Sequence, residues 1–142
     1  MVEHMKNDAC IFCKIANGEI PAKTIYEDDE FRAILDLGPA TKGHALILPK
    51  NHYANLFELP EEDAKKVIVI AKRLATKMKN NLKCDGFNLM QNNGESAGQT
   101  VFHFHMHLIP RYENDGQAIG WIPGQMSDEE LEAVKETILK EE

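Results

Sequence analysis

Apolar side chains recur at helical spacing between residues 64 and 82: Ala64, Val67, Ile68, Ala71, Leu74, Ala75, Met78 and Leu82. Pro60, Glu61, Glu62 and Asp63 precede them. Proline suits a first helical turn, which needs no N–H there, and acidic groups suit the positive end of the helix dipole. The pattern predicts one long helix from Pro60 to Leu82. Val69 and Ile70 widen its apolar surface beyond a single stripe. Such a helix lies deep in its own core or also covers a partner subunit. A small domain rarely buries a helix on two sides, which favours the second reading.

Elsewhere the pattern predicts strands. Lys23–Glu27 and Phe31–Leu35 flank an acidic turn at Asp28-Asp29, and His44–Leu48 follows a break at Gly38-Pro39 and is closed by Pro49. Phe87–Gln91 and Thr100–Ile109 supply two more. Asp8 can cap a short helix running to Ala16 and ended by Asn17-Gly18. Ser127-Asp128-Glu129-Glu130 has the form of a capping box and opens a last helix through Lys140. The sum is an α+β fold: an antiparallel sheet of about five strands, one long helix, and short helices at the ends. No linker or repeat divides the chain. We therefore expect one domain over 1–142, with 1–8 a flexible tail and 111–142 a C-terminal extension.

Composition narrows the function classes. At 142 residues a single domain can bury a real core. The net charge of −7 argues against a nucleic-acid polymer as partner, because polyanion binders need a basic face. No apolar run approaches a membrane span, and the polar start Met1-Val2-Glu3-His4-Met5 has no leader character. A cytoplasmic location is expected. Three cysteines, an odd count with one close pair, suit a metal or redox pair better than a disulfide framework.

Half of the six histidines fall in His103-Phe104-His105-Met106-His107. On a strand, alternate side chains point to opposite faces. Three imidazoles would then share one face, with Phe102, Phe104, Met106 and Leu108 on the other. The row could be a polar face without a task, three ligands of one metal ion, or a division of labour between metal binding and chemistry. Strand rise puts His103 and His107 about 13 Å apart, too far to share an ion. Gly94, Gly98, Gln99 and Thr100 run directly into the row. Glycines let backbone N–H groups approach an anion, and Gln and Thr add donors, so a phosphate beside His105 and His107 fits the third reading.

Cys10-Ile11-Phe12-Cys13 is a C-x-x-C pair with no strand before it, which lowers a thioredoxin-like redox role and favours zinc. A closed tetrahedral site needs two more ligands. His4, His44, His52 and one histidine of the row are the candidates. His52 sits in a turn, and His103 lies farthest from the phosphate end of the row. Cys84 has no partner and reads as buried filler.

These residues resemble the histidine triad (HIT) family, whose motif is His-φ-His-φ-His-φ-φ with φ apolar. His103–Ile109 matches at every position. Ile11-Phe12-Cys13-Lys14-Ile15, Glu19-Ile20-Pro21-Ala22, Leu35-Asp36, Ile47-Leu48-Pro49-Lys50 with His52, and Asn92, Gly94 and Gly98-Gln99-Thr100 match in order, so the resemblance covers about 9–111. Its zinc-containing, Hint-like branch is the most similar. The resemblance implies an HIT-like fold in a homodimer, with two sheets joined into one of ten strands and the long helices at the interface. It also implies a purine nucleotide (AMP- or GMP-type) ligand. Asp36 would hold the ribose. Phe12, Ile15, Ile34 and Leu37 would line the base pocket. Asn92, Gly98, Gln99, Thr100, His105 and His107 would surround the α-phosphate. One structural zinc per subunit would be held by Cys10, Cys13, His52 and His103.

The implied activity is hydrolysis of purine nucleoside phosphoramidates, with His105 as nucleophile and His107 beside it as the second catalytic residue. The alternatives are dinucleoside polyphosphate hydrolysis, a nucleotide-binding scaffold dimer with incidental turnover, and a zinc-dependent hydrolase using the row as ligands. Two departures stand out. Thr100 replaces a serine common in the Hint-like branch, and Trp121-Ile122-Pro123-Gly124 matches that branch's Trp-Pro-Pro-Gly tail only loosely. The tail helps choose the leaving group in that family, so leaving-group specificity transfers least.

Overall fold

The computed structural model describes residues 3–141. A five-stranded antiparallel sheet holds β1 (Thr24–Glu27), β2 (Phe31–Leu35), β3 (Ala45–Pro49), β4 (Gly86–Met90) and β5 (Met106–Arg111) in the order β1-β2-β3-β5-β4. The Asp28 carboxylate accepts the N–H groups of Glu30 and Phe31 at 2.8 and 2.7 Å, which closes the acidic turn between β1 and β2.

Helix α2 (Glu61–Leu82) covers one face of the sheet, burying Val67, Ile70, Ala71, Leu74 and Met78 against Phe31, Ala33, Ala45, Ile47, Phe104 and Leu108. Helix α1 (Ile11–Ala16) covers the other face, where Ala16, Ile34, Leu46 and Leu48 pack with Phe12 and Ile15. Burying both faces is why β3 is apolar at every position rather than alternating.

Three local expectations are corrected. Cys10, not Asp8, caps α1: its sulfur accepts the Cys13 N–H at 3.3 Å. The expected tail 1–8 is tied down over its described part. The His52 N–H donates to the Met5 carbonyl, the Met5 N–H to the Asn51 side chain, and His4 Nε2 to the Asp29 carbonyl. Met1 and Val2 lie outside the described residues.

The third correction matters most. The fifth strand begins at Met106, not Thr100, and runs on to Arg111. The register pairs Ile47 with Met106, which would set Phe104 opposite Pro49. Proline has no N–H to give a ladder, and the His103 ring takes the Pro49 carbonyl instead. The Phe104 N–H turns to the Tyr53 carbonyl. The histidine row therefore lies half in a strand and half in a loop. Phe104, Met106 and Leu108 still face α2, but Phe102 is half exposed rather than in the core.

The final helix, α3 (Asp128–Ile138), opens with the expected capping box at Ser127 and Glu130. It ends at Ile138 rather than Lys140 and buries no side chain. No helix among the described residues is long and apolar enough to cross a membrane.

Gly43 leads the chain into β3 with φ +93°, and a Cβ there would sit 2.5 Å from Leu82 Cδ1. Gly43→Ala therefore combines a left-handed backbone with overpacking. It should lower stability by about 2 kcal/mol or more, read as the shift in denaturant midpoint.

Candidate functional site

Cys10, Cys13, His52 and His103 come together at one end of the histidine row, with ligand atoms all within 4.8 Å of one another. Cys13 Sγ lies 3.2 Å from His52 Nδ1 and 3.4 Å from His103 Nδ1, and Cys10 Sγ lies 3.5 Å from His103 Nδ1. A tetrahedral zinc ion with ordinary Zn–S and Zn–N lengths separates sulfur from nitrogen by about 3.5 Å. The donor set therefore has the spacing of a closed Cys2His2 site. His103 Nε2 donates to the Pro49 carbonyl at 2.8 Å, which leaves Nδ1 with the lone pair a metal needs. The Cys13 sulfur accepts the Asn7 N–H, a contact that suits a thiolate. Without a cation, burial pushes the Cys13 thiol up to about 11. A metal would offset that cost.

His105 is the next residue along. Its ring is buried, and Phe12 packs edge-on against it at 4.9 Å between centroids. Nδ1 donates to the His103 carbonyl at 2.7 Å. The carbonyl cannot donate, so the ring proton sits on Nδ1 and Nε2 keeps a free lone pair. Burial lowers the pKa of His105 and keeps it neutral. A neutral imidazole with a free Nε2 is a nucleophile.

His107 completes the row and is set by a residue the sequence reading left aside. His44 Nε2 lies 2.9 Å from His107 Nδ1. The Ala40 N–H donates to His44 Nδ1 at 2.9 Å, so His44 carries its proton on Nε2 and gives it to His107 Nδ1. His107 must then carry its own proton on Nε2. The backbone thus fixes opposite tautomers in neighbours whose rings are 5.0 Å apart: His105 offers a lone pair and His107 offers a proton. Asp36 Oδ2 lies 3.6 Å from His44 Nε2. Asp36, His44 and His107 also have metal-ligand spacing. That group is no metal site in this arrangement, because His44 Nε2 carries a proton and has no lone pair to give.

Strand register would have found His44. Leu46 faces His107 across the β3–β5 pair, and side chains two apart on β3 share a face, so His44 lies diagonally beside His107. The Asp36 N–H donates to the His44 carbonyl at 2.9 Å, which brings the ends of the 36–44 loop together.

Phe12, Ile15, Ile34, Asp36 and Leu37 line one cavity of about 460 Å³ with Ala22 and Leu46. Leu37 stands at its exposed rim. Phe12 joins this apolar cavity to His105.

The loop before the triad is a single 3₁₀ turn, Glu95–Ala97, between Gly94 and Gly98, both at φ near +90°. Gln99 is buried, and its amide is spent inside the loop. Oε1 accepts the Gly94 N–H, and Nε2 donates to the Ala54 and Val101 carbonyls. Its side chain braces the loop rather than standing free as a donor. Asn92 lies under the turn, where a Cβ on Gly98 would touch its amide. Thr100 is exposed beside Cys10 and His52. Cys84 lies apart from the site as a free, half-buried thiol.

Residues 17–114 match the family model for the HIT domain. The chain is 45% identical over 129 residues to an HIT-like protein of Methanocaldococcus jannaschii, covering 91% of this chain and 98% of that one. It is 48% identical over 121 residues to the adenosine 5'-monophosphoramidase HNT1 of Saccharomyces cerevisiae, covering 84% and 73%. Its fold superposes on an HIT family protein from Bacillus anthracis with a TM-score of 0.87 at 46% identity, covering 94% and 96%. A zinc-bound histidine triad family protein from Mycobacterium smegmatis superposes at 0.74 with 39% identity, covering 82% and 84%. An α+β sheet carrying a row of three histidines with fixed tautomers defines the class, and the chain belongs to the HIT family.

Burial, with His105 and His44 beside it, pushes His107 down to about 4. An unfolded histidine titrates near 6.5. Between those values the unfolded chain binds more protons, so this contribution to stability is complete above about 6.5 and is lost as pH falls towards about 4. The denaturant midpoint should therefore fall between pH 7 and pH 5, and fall less in His107→Asn. An identical pH slope in that variant would contradict the assignment.

Proposed function

We propose that this chain is a nucleotide hydrolase that cleaves purine nucleoside 5'-phosphoramidates at the α-phosphate through a nucleotidyl-histidine intermediate. The observation that carries the reading is the pairing of tautomers: a lone pair on His105 Nε2 beside a proton on His107 Nε2. The base would enter the apolar cavity between Phe12, Ile15, Ile34 and Leu37. Asp36 at its wall would take the ribose hydroxyls.

The chemistry follows from those protons. His105 Nε2 attacks the α-phosphorus, and the bond from phosphorus to the leaving amine breaks. His107 Nε2–H hydrogen-bonds the departing nitrogen, which takes its proton from a water molecule, and the His44 contact holds His107 in the donating tautomer. The Nδ1–H bond to the His103 carbonyl stabilises the charge that develops on the His105 ring. Thr100, Asn92 and the N–H groups around Gly98 would receive the phosphate, with Gln99 holding that loop in shape. The hydroxide that this water becomes then attacks phosphorus and breaks its bond to His105 Nε2, releasing the nucleoside monophosphate and His105.

Cys10, Cys13, His52 and His103 would hold one zinc ion per subunit. Bound there, zinc is structural, because four protein ligands leave no open position. His103 links the two functions, since its ring serves the metal and its carbonyl fixes His105.

The active unit is a homodimer. β4 is an edge strand without proline, and beside it lies an apolar groove lined by Ile68, Val69, Phe87 and Leu89. Pairing β4 with β4 of a second copy would cover both and join two sheets into ten strands. A cytoplasmic setting, where disulfides are rare, suits three cysteines that form no disulfide. The S. cerevisiae relative, an adenosine 5'-monophosphoramidase, supports the phosphoramidase reading.

His105→Ala should lower hydrolysis of an adenosine phosphoramidate by roughly 10³-fold or more while AMP affinity changes only a few-fold. A variant that keeps full turnover refutes the nucleophile. A faster rate on a diadenosine polyphosphate than on the phosphoramidate would select the alternative hydrolase activity. Equal inertness of the wild type on both would select the scaffold reading.

Cys10→Ser should purify with less than stoichiometric zinc by elemental analysis. Retention of one zinc per chain would refute the ligand set.

A further inference from the structure

The four candidate metal ligands are not held alike. Cys10 caps α1 and Cys13 lies within it, while His103 is fixed at its far nitrogen by the Pro49 carbonyl. His52 lies in the turn after β3, outside any helix or strand. Among the described residues its ring bonds only towards Cys13. What places His52 is therefore its backbone.

That backbone is held by the segment before α1. The His52 N–H donates to the Met5 carbonyl at 2.6 Å, and the Met5 N–H donates to Asn51 Oδ1 at 2.8 Å. Two bonds in opposite directions pin Met5 to the His52 turn. The same turn takes the histidine row, through the Phe104 N–H and the Tyr53 carbonyl. His4 Nε2 ties the start of the segment to the Asp29 carbonyl between β1 and β2.

Asn7 carries the segment on to the cysteines. Its N–H donates to Cys13 Sγ at 3.4 Å, its carbonyl accepts the Cys10 N–H at 3.0 Å, and its side-chain oxygen accepts the Ala9 N–H at 2.9 Å. One residue thereby sets the turn that presents Cys10 and puts a donor on the sulfur of Cys13. Met5 and Asn7 are exposed, so apolar burial does not order this segment. Its bonds to the ligand-bearing turns do.

We propose that residues 4–7 are a strap that positions His52 and Cys13 and sets how slowly the site gives up its metal. The strap presupposes the zinc site proposed above. A metal ion leaves its ligands one at a time. A detached His52 whose backbone stays strapped remains close to the ion and rebinds, whereas one whose turn swings free does not. The Asn7 N–H draws charge from the Cys13 sulfur and orients it, as hydrogen-bond partners of metal ligands do.

The test uses the full-length chain loaded with zinc. Release into an excess of chromophoric chelator is the readout, and circular dichroism checks folding. His4→Ala with Asn51→Ala frees the strap without touching a ligand, and should release zinc roughly tenfold faster. Asn7→Ala keeps the backbone N–H and Asn7→Pro removes it, so Asn7→Pro should release zinc faster than Asn7→Ala. With cobalt(II) in place of zinc, only Asn7→Pro should move the thiolate-to-metal absorption band to longer wavelength, because the lost N–H no longer stabilises charge on sulfur. Release at the wild-type rate in the double variant overturns the strap and leaves the zinc site standing. Asn7→Pro matching Asn7→Ala in both rate and band overturns the action on Cys13. The double variant introduces no proline and decides the question by itself where Asn7→Pro fails to fold. A wild type that takes up no zinc overturns the site and the strap together.

Discussion

Pro49 has no N–H, and the site is built where that absence ends a ladder. β5 can pair with β3 only as far as Ile47 and Met106. Beyond that point the chain from Thr100 to His105 is free to spend its polar groups differently. The Pro49 carbonyl, unused by a ladder, takes the His103 ring. That bond leaves His103 Nδ1 free towards Cys10 and Cys13, and the His103 carbonyl in turn sets His105. A continuous strand through Thr100 would place the same side chains on the same face but would engage these carbonyls in the sheet.

An imidazole has one proton to place when neutral, and burial keeps these imidazoles neutral. The backbone decides each placement: Pro49 for His103, the His103 carbonyl for His105, and the Ala40 N–H for His44 and through it His107. Four chemically identical side chains thereby each acquire a set tautomer. The same economy appears in Cys10, whose sulfur caps α1 and faces His103 at once.

The body and its extension follow different rules. The body buries both faces of its sheet and has balanced charge. The extension buries nothing in α3 and carries the surplus negative charge. A capping box at Ser127 and an exposed apolar stripe specify α3 as a helix.

Much of this was legible in the sequence. The helical period of 64–82, the acidic turn at Asp28-Asp29 between two strands, and the capping box at Ser127 are local signals, and local signals survive folding. The histidine spacing alone fixed which side chains share a face, because that depends only on extended backbone. Residues distant in sequence, Cys10, Cys13, His52 and His103, were grouped by ligand chemistry and by family resemblance. The tertiary structure decided what no local pattern carries. It started β5 only at Met106 because of a proline on another strand, brought His44 to His107 through register, and turned Gln99 inward as a brace. Each of these depends on which backbone group of a distant segment is left without a partner, and that is known only once the chain has folded.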